Sequence, residues 1–152
     1  MRAASALSEH PLATHAVGEI AGNIMEAFQG EPIDLLVMFV EGSHTGAVED
    51  INNALRDLLQ PRHSMGSTAS GVISNEQEVE FRSSISIWAA AGLTAVPFRI
   101  NSGATSPTSG WPRQSGHSLL LADPFSIPVD ALFEDAATNA PDLSLYLSLI
   151  HI

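Results

Sequence analysis

The sequence predicts an α/β domain: a mixed sheet with a parallel strand–helix–strand unit, a later antiparallel hairpin and about three packed helices. Three observations carry this. Ile33 to Val40 is apolar on both faces after Asp34, the pattern of a central strand covered on both sides. His44 to Gln60 is amphipathic and ends at Pro61, so it reads as the crossover helix of a parallel unit. Val79 to Ala91 alternates, with Phe81, Ser83, Ile85, Ile87 and Ala89 against Arg82, Ser84, Ser86 and Trp88, which is strand periodicity.

Taken in order, Arg2 to Ala13 is small and polar and predicts a leading strand or loop. Thr14 is placed to cap a first helix. Val17, Ile20, Ala21, Ile24, Met25 and Phe28 then recur three and four apart, and the helix should stop at Gly30, with Pro32 beyond it. Gly18 and Gly22 each weaken it by about 1 kcal/mol relative to alanine; four apart on one face, they would permit close packing on a neighbour. Ile33 to Val40 is bounded by Pro32 and Gly42, which favours a strand over a buried helix. In the second helix Val48, Ile51, Leu55, Leu58 and Leu59 form the apolar stripe, and Asp50, Arg56 and Asp57 lie off it.

A glycine-rich turn is expected at Gly66–Ser67–Thr68–Ala69–Ser70–Gly71. After the alternating segment, Ala91–Gly92 reads as a turn and Leu93 to Ile100 as the returning strand of a hairpin, with Pro97 marking an edge or a bulge. Residues 101–116 are rich in Ser, Thr, Gly and Pro and read as a loop anchored by Trp111. Ser118 to Ala122 is a further apolar strand, and Val129 to about Asn139 a last helix striped by Val129, Leu132, Phe133 and Ala136 and stopped by Pro141. No internal repeat is evident. The last residues, Leu147 to Ile152, resemble translated sequencing-adapter DNA. Residues 143–152 are therefore expected to be foreign to the domain or disordered, with the natural chain continuing past about Asp142.

Composition bounds the function. The chain has 152 residues, one domain by the usual size prior, and 45 % of them are hydrophobic. It carries a formal net charge of −11, and all six basic residues are arginine. Without a lysine or a basic patch, nucleic acid and anionic membranes are poor partners. There is no cysteine, so disulfides and thiolate metal sites are absent. Neither a signal peptide nor a membrane-length apolar run is present, and a cytoplasmic location is expected.

No motif names a reaction. The Gly66–Gly71 segment follows a predicted strand and could turn backbone N–H groups toward an anion, but it lacks the Gly-Lys-Ser/Thr ending of a phosphate loop. A simple chain reversal accounts for its glycines and leaves the hydroxyls of Ser64, Ser67, Thr68 and Ser70 unexplained. Ser67 is not in a Gly-x-Ser-x-Gly elbow; His63, His117 and Asp123 complete a triad only on paper, so serine-dependent hydrolysis is the least favoured alternative. His10, His15, His44, His63 and His117 have no metal-ligand spacing. Glu76, Glu78 and Glu80 alternate and read as a solvated strand face. Met38 and Met65 are expected in the core, and Trp88 in cross-strand packing. Asp123, at the end of a buried strand, either meets a ligand at the crevice such strand ends form or caps the next helix.

Asp34-Leu35-Leu36-Val37-Met38-Phe39, the Gly66-to-Ile73 segment Gly-Ser-Thr-Ala-Ser-Gly-Val-Ile, and Leu119-Leu120-Leu121-Ala122-Asp123-Pro124 together resemble the FIST N-terminal domain, over about Ala4 to Asp142. That family is a sensory module of bacterial signal-transduction proteins and of some F-box proteins. The resemblance implies a small-ligand-sensing domain, not an enzyme, with amino acids or related metabolites as ligands. It implies a C-terminal FIST half as partner and leaves haem, with nitric-oxide sensing, or a protein-interaction scaffold as alternatives. The family's usual cysteine in the turn is here Ser67. The expected ligand contacts are Gly66, Ser67, Thr68, Ser70 and Gly71, with Asp123; no metal ligand and no catalytic residue is assigned.

Overall fold

A computed structural model describes residues 1–74, 77–100, 110–112, 115–123, 125 and 127–149. The chain forms two compact units, the first running to Ala95 and the second from Val96 onward.

The first unit is built on a four-stranded sheet in the order β1-β6-β2-β3. Its strands are β1 (Arg2–Ser8), β2 (Leu35–Glu41), β3 (His63–Thr68) and β6 (Ser84–Ala91). β2 and β3 run parallel, joined by helix α2 (Val48–Leu59), so the predicted strand–helix–strand unit is present. β6 runs antiparallel to both β1 and β2. β1, β2 and β3 therefore point the same way, and their carboxyl ends share one edge with the start of β6.

Helix α1 (Ala13–Phe28) follows from its three-and-four spacing: Val17, Ile20, Ala21, Ile24 and Phe28 are buried. They form one apolar cluster with Ile51, Leu55 and Leu59 of α2 and with Ala6, Leu36, Met38, Val40, Ile85, Ile87 and Ala89 of the sheet. Each such large aliphatic side chain stabilises the fold by about 1.5–3 kcal/mol. Thr14 is not the cap: the helix starts one residue earlier, and the Leu12 carbonyl accepts from the N–H groups of His15 and Ala16. Gly18 and Gly22 are exposed, with nothing within 4 Å of a Cβ at either position, so among the described residues they pack on no neighbour. The second helix is preceded by a 3₁₀ segment, Gly42–Ala47, and Leu58 of its expected stripe is exposed.

The other sheet face meets the antiparallel pair β4 (Gly71–Ser74) and β5 (Gln77–Glu80). Val72 and Val79 are buried, and Ser86 Oγ, on that face of β6, donates to the Ile73 carbonyl at 3.0 Å.

Three sequence expectations change here. Gly66, Ser67 and Thr68 are not in a turn but inside β3, and the reversal falls at Ala69–Ser70. The alternating segment is two strands, because Phe81 has φ 58° and breaks the extended run between β5 and β6. Leu93 to Ile100 forms no strand. Both edges of β6 are already taken by β1 and β2, leaving no edge for a returning partner. The chain instead turns away at Gly92 (φ 76°), where Asp34 Oδ2 accepts from the N–H of Gly92 at 2.8 Å and of Leu93 at 3.1 Å. Among the described residues the antiparallel hairpin is β4–β5.

In the second unit β7 (Gly116–Ala122) leads through α3 (Val129–Asn139) to β8 (Leu143–Leu149), and β7 and β8 pair in parallel. This is a second strand–helix–strand unit. Residues 143–149, set apart on sequence as foreign or disordered, are a strand, as the two-residue recurrence of Leu143, Leu145, Leu147 and Leu149 permits. The adapter-like residues beyond them, 150–152, and most of the expected 101–116 loop lie outside the described residues, as does Glu76. Trp111 Nε1 donates to Asp135 Oδ2 at 2.5 Å, and Asn139 Nδ2 donates to Asp135 Oδ1 at 2.8 Å, which anchors the 110–112 segment to α3.

Candidate functional site

The carboxyl ends of β1, β2 and β3 are where polar side chains gather in the first unit. Glu41 ends β2 and is buried, only 4 % exposed. A buried carboxylate needs donors. Glu41 Oε2 accepts from the Arg82 N–H at 3.3 Å and from Ser84 Oγ at 3.1 Å. The Arg82 guanidinium turns to Glu9, just after β1, at 2.8 Å, and Gln77 Nε2 donates to the other oxygen of Glu9 at 2.5 Å. The side chain of Glu9 is about one-quarter exposed and that of Arg82 two-thirds exposed, so the pair faces solvent above the buried Glu41.

Short loops hold this arrangement. Gly42 has φ 68°, and a Cβ there would stand 2.9 Å from the backbone of Ser83, so only glycine lets the 81–83 segment come this close. Ser43 and Ser83 share a hydroxyl–hydroxyl bond of 2.6 Å. His44, buried, has its Nε2 2.8 Å from the His10 carbonyl. The His10 ring stacks on His15 with centroids 4.7 Å apart, and its Nδ1 accepts from the Leu12 N–H at 3.1 Å. Ser8 Oγ donates to Glu19. Among the described residues no three His, Asp or Glu side chains converge as a metal site would require.

The residues picked from the sequence are distributed differently. Gly66 lies within β3 opposite Met38, and a Cβ on it would fall 2.4 Å from the Met38 carbonyl oxygen. Ser67 is buried, and its Oγ donates to the Thr68 carbonyl at 2.9 Å. His63 shares that strand four residues away, about 13 Å along an extended chain, out of reach as a base for Ser67. Thr68 ends β3, Ser70 is exposed in the reversal and Gly71 opens β4, so these three lie at the carboxyl edge. Asp123 belongs to the second unit. Its Oδ1 accepts from the Phe125 N–H at 3.0 Å and its carbonyl from the Ile127 N–H at 3.1 Å, a local turn ahead of α3. His117, also in that unit, has its Nδ1 3.4 Å from the Tyr146 hydroxyl.

Comparison with known proteins decides the family. The FIST N domain model matches residues 34–145. The chain belongs to the FIST N domain family. FIST domains are sensory domains of signal transduction. The match takes in β2 through most of the second unit, and Glu41 and Arg82 with it. Relatives include the uncharacterized protein Mb0898c of Mycobacterium bovis and the uncharacterized proteins MT0656 and Rv0628c of Mycobacterium tuberculosis, each 28 % identical over 147 residues. The alignment covers 93 % of this FIST chain but only 38 % of each of these relatives. No solved structure matches it significantly. No described helix is long and apolar enough to cross a membrane.

Glu9, Glu41, Arg82 and Ser84 of this FIST domain were missed by sequence reasoning. One signal was available: an apolar strand that ends in a carboxylate followed directly by glycine, Glu41–Gly42. Arg82 lay hidden in what looked like one long strand, and only the β1–β6 register, with Ser8 opposite Ile85, brings Glu9 beside it.

Proposed function

We propose that this FIST domain senses a small polar ligand at the carboxyl edge of its four-stranded sheet, and that the ligand is an amino acid or a related zwitterion. The observation that carries the proposal is the solvent-facing Glu9–Arg82 pair above buried Glu41. A zwitterion offers one carboxylate and one ammonium a few ångströms apart. It can replace the internal pair term for term, with its carboxylate on the Arg82 guanidinium and its ammonium on Glu9. The exchange disrupts little of the fold, because exposed ion pairs contribute at most about 1 kcal/mol, and the backbone beneath is fixed independently by Glu41 and Ser43. Thr68, Ser70 and Gly71 border the same edge and supply further polar contacts. Strand carboxyl ends are the usual ligand position in layered α/β folds.

Two wider features belong to the same proposal. The domain works in a cytoplasmic signal-transduction protein, a setting with which its cysteine-free composition is compatible. A C-terminal FIST half, where a longer protein carries one, adds contacts to the ligand.

The test is a thermal-shift screen of the chain against the standard amino acids, followed by calorimetry. At least one amino acid should raise the melting temperature. Arg82→Gln, which removes a charge-assisted contact, should weaken binding by about tenfold or more while leaving the unliganded melting temperature nearly unchanged. If no amino acid shifts the protein, in this chain or in a longer one, the proposal fails.

A further inference from the structure

Phe81 is the most exposed internal aromatic residue described, 89 % accessible, and it sits in the left-handed region at φ 58°. Either feature alone is unremarkable for a small polar residue. For phenylalanine both are unfavourable: the side chain gains nothing from burial, and the backbone is one that L-residues with a Cβ avoid. The surroundings hold it there. Arg82 is fastened by its N–H to Glu41, and Ser83 is fastened to Ser43. A rigid platform thus presents a bare aromatic ring to solvent.

The neighbouring surface matches. On the β4–β5 pair, Val72 and Val79 face inward, and the register places Ile73 opposite Glu78 and Gly71 opposite Glu80 on the outer face. Ile73 is 69 % exposed, and Glu78 and Glu80 are exposed too. Among the described residues β5 pairs only with β4. A strand of that kind offers an open row of backbone groups for another extended chain. Side chains directly across from Glu78 and Glu80 would have to be basic, because the chain already carries a net charge of −11. The same charge disfavours a second copy as the occupant.

We propose that β5 and Phe81 form a docking edge for an extended segment of a partner protein, one that places lysine or arginine at alternate positions against Glu78 and Glu80 and an apolar residue against Phe81. The segment adds as a strand to β5, and Phe81 is its anchor. This is independent of whether the neighbouring edge binds an amino acid.

The probe is a synthetic ten-residue peptide with lysine at alternate positions and valine or leucine between them. A peptide of the same composition with its lysines in one block is the control. Binding is read by fluorescence anisotropy, and docking by slowed amide exchange at Glu78 and Glu80, whose N–H groups point away from β4. The alternating peptide should bind at least several-fold more tightly than the blocked one. Phe81→Gly should abolish that preference while the melting temperature holds or rises, since glycine relieves the backbone conformation; the loss cannot then be blamed on unfolding. Glu78→Gln with Glu80→Gln should weaken binding and flatten its salt dependence. Equal binding of the two peptides, no binding of either, or full binding by Phe81→Gly overturns the proposal. So does sedimentation showing that the free protein self-associates through Phe81.

Discussion

Gly66 of β3 stands opposite Met38 of β2, so close that a Cβ on Gly66 would lie 2.4 Å from the Met38 carbonyl oxygen and 3.0 Å from the Met38 Cβ. The obstacle is backbone in a central strand and cannot swing aside. Gly66→Ala should therefore destabilise the domain by about 1–3 kcal/mol. A lower urea midpoint with an unchanged slope would show this; wild-type stability would mean that β2 and β3 are less closely paired.

Asp34 ties the start of β2 to the end of β6 through the N–H groups of Gly92 and Leu93, and it also meets Arg62 at 3.2 Å. The Arg62 side chain is 70 % exposed and that of Asp34 only 10 %. The two ends of this ion pair should thus differ sharply. Asp34→Ala leaves two backbone donors without an acceptor and should lose about 2–4 kcal/mol, whereas Arg62→Gln should lose no more than about 1 kcal/mol. Equal losses in chemical denaturation would show that the ion pair, not the amide contacts, is what matters.

Glu41 is the floor of the proposed ligand edge. Glu41→Ala removes the acceptor for the Arg82 N–H and for Ser84 Oγ. The expected cost is about 1–3 kcal/mol, with faster hydrogen exchange at the Arg82 amide than at amides in the middle of β6. Exchange that rises uniformly across the sheet would instead point to general loosening.

The second unit has its own polar tie, Trp111 to Asp135. In a Trp88→Phe background, where Trp111 is the only indole, Asp135→Ala should shift the emission to longer wavelength and lower stability by about 1–2 kcal/mol. Asp135→Asn, which keeps an acceptor, should shift it less. An unchanged spectrum in Asp135→Ala would show that the indole is held by something else.

How much of this was legible beforehand differs from element to element. The spacing of Val17, Ile20, Ile24 and Phe28 is a local property, and α1 followed from it. The apolar run after Asp34 announced β2, and the amphipathic stretch with Pro61 announced the crossover to a parallel β3. Asp34 to Phe39 also carried part of the likeness to the FIST family, whose match to this chain begins at residue 34. The candidate site was less accessible. Hydroxyls and glycines drew attention to Gly66–Gly71, yet Gly66 and Ser67 serve the strand. The charged groups at the edge gave almost no local pattern.

By itself, then, the sequence determined the secondary structure wherever burial repeats with a fixed period, along with the parallel strand–helix–strand unit and the acidic, cysteine-free character. Only the tertiary structure decided which edge of β6 was free, and neither was. It alone showed why position 66 tolerates no side chain, and it alone set Glu41 beneath Arg82 from 41 residues away. The physical reason is that periodicity records which face of an element is buried, while strand partners and polar contacts depend on register between segments far apart in the chain. Phe81 shows the difference most clearly: it fits the alternation of a strand, but the ties of Arg82 and Ser83 turn it into the open.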